Sequence, residues 1–154
     1  VEKVLVGIIM GSKSDMPVME KAEQVLRELG VGCEVKVMSA HRQPELVRAY
    51  AASARERGLL AIICGAGMAA HLAGAVAAVT SVPVIGVPIK SGALDGMDAL
   101  LSTVMMPTGV PVATVAIDGA KNAAYLAAEI AANNHPEILD RLIAEKEKMA
   151  GGNP

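Results

Sequence analysis

The sequence predicts a three-layer α/β/α domain: a doubly wound parallel sheet with helices on both faces. Two observations carry this. Five short apolar runs, most of them rich in β-branched residues, alternate with longer stretches whose apolar residues recur at helical spacing. Most of the runs are apolar throughout, as strands buried on both faces must be. Strands separated by helices pair in parallel, because a crossover helix returns the chain to the same end of the sheet.

Each element has its own signal. Val4 to Met10 reads as the first buried strand, and Gly11-Ser12-Lys13-Ser14-Asp15 as the turn after it. Pro17 to Leu29 reads as a helix: Val18, Ala22, Val25, Leu26 and Leu29 share one stripe, and Gly30 stops it. Cys33 to Met38 alternates like a strand. Pro44 to Arg57 is a helix with proline in its first turn and Gly58 beyond its end. Leu59 to Cys64 is the third strand, Gly65-Ala66-Gly67 a glycine turn, and Ala69 to Val79 an alanine-rich helix. Val84 to Val87 is a strand between Pro83 and Pro88. Ala93 to Val104 is helical despite Gly96, Val112 to Ile117 is the fifth strand, and Ala120 to Asn133 and Pro136 to Met149 are the last helices. The Gly151–Pro154 tail is expected to fray. The preferred strand order is 2-1-3-4-5, the flavodoxin-like arrangement. No linker or repeat divides the chain, so residues 1–154 are read as a single domain.

Composition narrows the function. With Lys+Arg 14 against Asp+Glu 16, the formal charge is -2, which offers no general attraction to nucleic acid or anionic membranes. Phe and Trp are absent and Tyr numbers 2, so the stacking platforms of single-strand binders are missing. At 53% hydrophobic the chain has ample material for a core. Cys33 and Cys64 are neither a disulfide framework nor spaced as metal ligands. Val1-Glu2-Lys3-Val4 does not begin a secretory signal, and no apolar stretch is long enough to span a bilayer. The expectation is a soluble cytoplasmic protein.

In a doubly wound sheet, ligands sit beyond the C-terminal strand ends. Three polar turns fall there. Gly11–Asp15 leads into a helix N-terminus, whose N–H groups suit a phosphate and whose serines add donors; Ser14 or Asp15 serving only as a helix cap explains the same residues. The turn is neither a Walker A loop nor a complete Gly-x-Gly-x-x-Gly fingerprint, which argues against ATP or NAD. Ser39-Ala40-His41-Arg42 sets an imidazole that can move protons near neutral pH beside a guanidinium that can grip phosphate; the alternative is a solvated loop with Arg42 paired to Glu45. His71, expected in the first turn of the third helix, either orders the site or is a packed structural histidine. His135 reads as a capping or surface residue. Cys64 and the methionines read as packing.

Met10-Gly-Ser-Lys-Ser-Asp15, Ser39-Ala-His-Arg42, Gly65-Ala-Gly-Met-Ala-Ala-His-Leu72 and Met106-Pro-Thr-Gly-Val-Pro-Val112, in this order and over nearly the whole chain, closely resemble the N5-carboxyaminoimidazole ribonucleotide mutase family of purine biosynthesis. The resemblance implies a three-layer α/β fold and transfer of a carboxylate from the exocyclic nitrogen of the substrate to ring carbon C4, without metal, biotin or ATP. Carried over by motif, Ser12, Asp15 and Arg42 would bind the ribonucleotide, with Ser14 and Ser39 as neighbours. His41 would be the acid/base residue. His71 and the Gly65, Ala66, Gly67, Ala70 and Leu72 segment would handle the carboxylate and CO2. Ala69-Ala70-His71-Leu72 resembles the mutase branch rather than the branch that carboxylates aminoimidazole ribonucleotide directly. Met68 stands where many members have Gly, and Ala73 where many have Pro.

The resemblance also implies a homo-octamer with sites near subunit contacts. Pro136 to Met149 carries Ile138, Leu139, Leu142, Ile143 and Met149 on an apolar stripe. Residues 136–154 are therefore expected to pack on a neighbouring subunit, the alternative being that the helix folds back on its own sheet. A non-enzymatic receiver module is the competing class. It would need an acidic cluster after the first strand and an aspartate after the third, where this chain has Gly11-Ser12 and Gly65-Ala66.

Overall fold

A computed structural model describes residues 2–152. Its strands are β1 (Val6–Met10), β2 (Cys33–Val37), β3 (Ala61–Gly67), β4 (Val84–Ile89) and β5 (Ala113–Thr114). Its helices are α1 (Met16–Glu28), α2 (Pro44–Ser53), α3 (Leu72–Ala77), α4 (Met97–Val104), α5 (Ala120–Ala132) and α6 (Pro136–Gly151). The sheet is parallel throughout, in the order β2-β1-β3-β4-β5, as the alternation of elements predicts. Because β1 and β3 are neighbours although β2 lies between them in sequence, the winding reverses there, and a crevice opens beyond their C-terminal ends.

The sheet divides two cores. On one face, Ile8, Met10, Ile63 and Ile85 meet Met19, Ala22 and Leu26 of α1 and the alanines of α5. On the other, Ile9, Ile62 and Cys64 meet Val47, Tyr50 and Ala51 of α2 and Leu72, Ala73 and Val76 of α3. The absence of large aromatics is met by close approach. Ala120, Ala123, Ala124, Ala127, Ala128 and Ala131 form the fully buried face of α5, which lies directly on the sheet and on α1. Those alanines are consumed inside the chain.

Tyr50 shows how a glycine serves this packing. Its hydroxyl reaches across β1 to donate to Glu34 Oε1 at 2.9 Å, and a Cβ on Gly7 would collide with that hydroxyl. Arg57 also donates to Glu34, at 2.8 Å, and its guanidinium lies 4.8 Å from the Tyr50 ring centroid. Helix α2 is thereby tied to the two strands that hold the first turns of the rim.

Boundaries differ from the sequence reading where glycine and alanine mislead. Gly65-Ala66-Gly67 is not a turn: it continues β3, paired with Val87, Pro88 and Ile89 of β4. The turn comes afterwards, at Met68–His71, and α3 begins at Leu72 rather than Ala69. Residues 93–96 form a turn closed by Gly96 at φ 91, so α4 starts at Met97. The fifth strand keeps only Ala113–Thr114 as ladder. Helix α6 docks through Ile138 and Leu142 into the core beside α5, and Arg141 donates to the Leu29 carbonyl at 2.9 Å, capping the C-terminal end of α1. Leu139, Ile143 and Met149 on the same helix stay exposed. The helix runs to Gly151; of the tail expected to fray, Asn153 and Pro154 lie outside the described residues.

Candidate active site

The C-terminal ends of β1, β2, β3 and β4 deliver four turns to one cleft of about 280 Å³, lined by Ser12, Ser14, Asp15, Ser39, His41, Arg42, Ala66, Gly67, His71 and Leu72, with Gly11, Ala40, Met68, Ala69 and Ser91 completing the wall. That is at the small end of ligand clefts, about 300–1,000 Å³, and suits a mononucleotide better than a dinucleotide.

After β1 the chain makes a capping box. Ser12 is extended (φ -151), its Oγ accepts from the Ser14 N–H at 3.3 Å, and Asp15 Oδ2 accepts from the Ser12 N–H at 3.2 Å. The Ser14 hydroxyl donates to Ser12 Oγ at 2.9 Å. Capping does not withdraw these residues from the rim: those that close the turn also face the cleft. Asp15 is only 8% exposed. Burial pushes its carboxyl above the ordinary value of 3.8, and the Ser12 N–H partly opposes this.

After β2, Ser39 Oγ accepts from the Arg42 N–H at 3.1 Å and the Ser39 N–H donates to Gln43 Oε1 at 3.3 Å, folding the turn so that His41 and Arg42 project. The alternative pairing of Arg42 with Glu45 does not form. Among the described residues the Arg42 guanidinium has no protein partner, so its donors are available to an anion.

After β3, Met68 takes the left-handed conformation (φ 53) and the Ala70 and His71 N–H groups donate to Met68 and Ala69 carbonyls, each at 2.9 Å. Ala70 and Leu72 are buried on either side, so His71 between them is held at the rim as the N-cap residue of α3. There it meets His41: Nε2 of His41 lies 2.7 Å from Nδ1 of His71, with the rings edge to face. Two residues thirty positions apart in the chain thus become one hydrogen-bonded pair.

Two expected residues do not line the cleft. Gly65 sits inside β3, where a Cβ would strike the buried Met19 thioether, and Ala70 turns into the core. Ser91 is a wall residue that the sequence reading missed. Its turn is held by the Lys90 N–H, which donates to Asp118 Oδ1 at 2.9 Å. Its signal was positional: Lys90-Ser91 follows the fourth strand, at the same rim as the other three turns. His135 heads α6 at the surface with Nδ1 3.2 Å from Glu137. Cys64 is buried, and desolvation pushes its thiol far up, as suits packing.

A doubly wound sheet with a polar cleft at its switch point defines an α/β protein of the class that takes small ligands beyond its strand ends. Residues 5–151 match the AIR carboxylase family, and the chain belongs to that family. It is 60% identical over 144 residues to the N5-carboxyaminoimidazole ribonucleotide mutase of Pyrococcus abyssi, covering 94% of this chain and 83% of that one. It is 54% identical over 149 residues to the enzyme of the same name from Mycobacterium tuberculosis (strain H37Rv), covering 97% and 86%. Among solved structures, Treponema denticola PurE superimposes with a TM-score of 0.83 at 33% identity, covering 95% of this chain and 91% of that one.

Proposed function

We infer that this chain is an N5-carboxyaminoimidazole ribonucleotide mutase, moving the carboxylate of its substrate from N5 to C4 in purine biosynthesis. The observation that carries this reading is the likeness, at 54–60% identity over more than nine-tenths of the chain, to enzymes of that name. The cleft supports it: its wall brings together serine hydroxyls, a guanidinium without a protein partner among the described residues, and a histidine pair, with Ala66, Gly67 and Ala69.

The roles follow from the chemistry. The Arg42 guanidinium and the Ser12 and Ser14 hydroxyls hold the phosphate, Asp15 accepts from ribose hydroxyls, and Ser39 braces the turn between them. The substrate is a carbamate. When His41 gives a proton to N5, the N–CO2 bond breaks, its electron pair stays on nitrogen, and CO2 is released. The aminoimidazole that remains is enamine-like, so its C4 attacks the CO2 held beside it. His41 then takes the C4 proton and aromaticity returns. Protons and charge balance over the cycle. A positioned acid/base contributes typically about 10²–10⁴-fold, and retaining CO2 adds the gain of proximity. His71 and the Ala66-Gly67 wall lie on the carboxylate side, where small residues leave room for CO2.

The protein acts in the cytoplasm and assembles as a homo-octamer, with residues 136–154 contributing to subunit contacts. Leu139, Ile143 and Met149, exposed on the outer side of α6, support that assignment. Purified protein incubated with N5-carboxyaminoimidazole ribonucleotide, without ATP, is expected to form the C4-carboxylated isomer. Failure to form it would overturn the reading.

A further inference from the structure

We propose that His71 is the positioning residue that fixes the tautomer of His41: Nδ1 of His71 accepts from Nε2–H of His41, leaving Nδ1 of His41 as the nitrogen that exchanges protons with the nucleotide. The proposal rests on the mutase reading for the reaction, but on the geometry of the two rings for the assignment of nitrogens.

The 2.7 Å contact between Nε2 of His41 and Nδ1 of His71 needs one proton between them. With none, two lone pairs face each other; with two, the protons collide. Two arrangements satisfy it, with either ring as donor. The reaction chooses between them. His41 alternates between imidazolium, which carries a proton on both nitrogens, and neutral imidazole. If His71 donated to a bare Nε2, the bond would break each time His41 became imidazolium. If His41 donates, Nε2 keeps its proton in both states and the bond survives the whole cycle. Only the outer nitrogen changes: Nδ1 gives its proton to N5 and later receives one from C4. Nδ1 of His41 is without a protein partner among the described residues, and the ring lines the cleft.

The same assignment gives His71 a second use. A neutral His71 that accepts at Nδ1 carries its own proton on Nε2. That proton is a hydrogen-bond donor on a ring that lines the cleft, available to CO2 or the substrate carboxylate. The backbone is built to hold the ring: buried Ala70 and Leu72 anchor the residues on either side, and the turn bonds of Ala70 and His71 lock the approach to α3. This is the arrangement by which a second group orients a catalytic imidazole and supports its imidazolium form, with a neutral ring in place of a carboxylate.

The test uses His71→Asn, whose amide oxygen can replace Nδ1 as acceptor, and His71→Leu, which cannot accept. ¹⁵N NMR of the neutral protein is expected to show His41 as the Nε2–H tautomer in wild type and His71→Asn, and as a mixture in His71→Leu. In kinetics with N5-carboxyaminoimidazole ribonucleotide, His71→Leu should lose at least about tenfold in kcat with KM within about twofold, and His71→Asn should recover much of that loss. His41 as the Nδ1–H tautomer in wild type, or an unchanged kcat in His71→Leu, would overturn the proposal. The NMR result stands apart from activity: wild-type protein that makes no product refutes the mutase reading, while the tautomer still decides the pairing.

Discussion

At the scale of single residues, the proposed roles divide the site into groups that hold charge and groups that move protons. His41→Asn keeps a polar side chain but cannot shuttle a proton. Turnover should fall by at least about 10², while nucleotide affinity, measured by calorimetry, survives; near-normal turnover would remove His41 from its role. Asp15 makes the opposite kind of prediction. Its carboxyl titrates above 3.8 in the folded protein because burial disfavours the charge. The native state therefore holds its proton to higher pH than the unfolded chain. Stability is lost as pH rises from the ordinary carboxylate range through the raised folded value, and stays lost at neutral pH. Asp15→Asn removes that penalty and retains an oxygen for the Ser12 N–H. Melting at pH 7 should occur at the same or a higher temperature than in wild type, with the gap closing below pH 3.8, while nucleotide affinity weakens. A lower melting temperature at pH 7 together with unchanged affinity would show Asp15 to be purely structural.

At the scale of elements, the fold was legible where pattern follows from burial on both faces, and obscure where one residue type serves two purposes. The strand order and three of the four rim turns follow from apolar runs alternating with helical stripes; the fourth, at Lys90-Ser91, was not picked out. Gly65 and Gly67 read as a turn because glycine usually marks one; here they keep Cβ atoms away from Met19 and Ser91 within a strand. Ala69 and Ala70 read as helix by propensity, but Met68 at φ 53 turns the chain before α3 can start. Most of the site's residues were legible because each turn was locally polar. The contact of His41 with His71 was not, since nothing local relates two residues in turns that follow different strands. Gly30 tests the packing of an element end. It ends α1 at φ 67, and a Cβ there would run into the Arg141 guanidinium that caps the helix. Gly30→Ala should cost about 1–3 kcal/mol in denaturant unfolding, and Arg141→Ala in the same background should add little, because the cap is already displaced. Full additivity of the two changes would contradict the shared contact.

At the scale of the whole molecule, exposed apolar surface remains after the chain has closed its own core. It includes Leu139, Ile143 and Met149 on α6, and Leu94, Met97, Leu101, Val104 and Met105 on and around α4, with Leu46 and Met68 elsewhere. Patches of this kind mark association. Light scattering should give a mass near that of eight chains, and replacing Leu139 and Ile143 by Glu should lower it without unfolding the monomer, since neither residue belongs to the buried core. A monomer in wild type would contradict the assembly.

In the proposed reaction the cleft releases CO2 from N5 and returns the same molecule to C4 before it escapes. Substrate labelled with ¹³C in the N5 carboxylate, turned over in unlabelled bicarbonate buffer, tests this directly. Most of the first-formed C4-carboxylated product should carry the label, as seen by mass spectrometry under single-turnover conditions. Product carrying only unlabelled carbon would contradict the proposed reaction, and would instead mark an enzyme that draws its CO2 from solution.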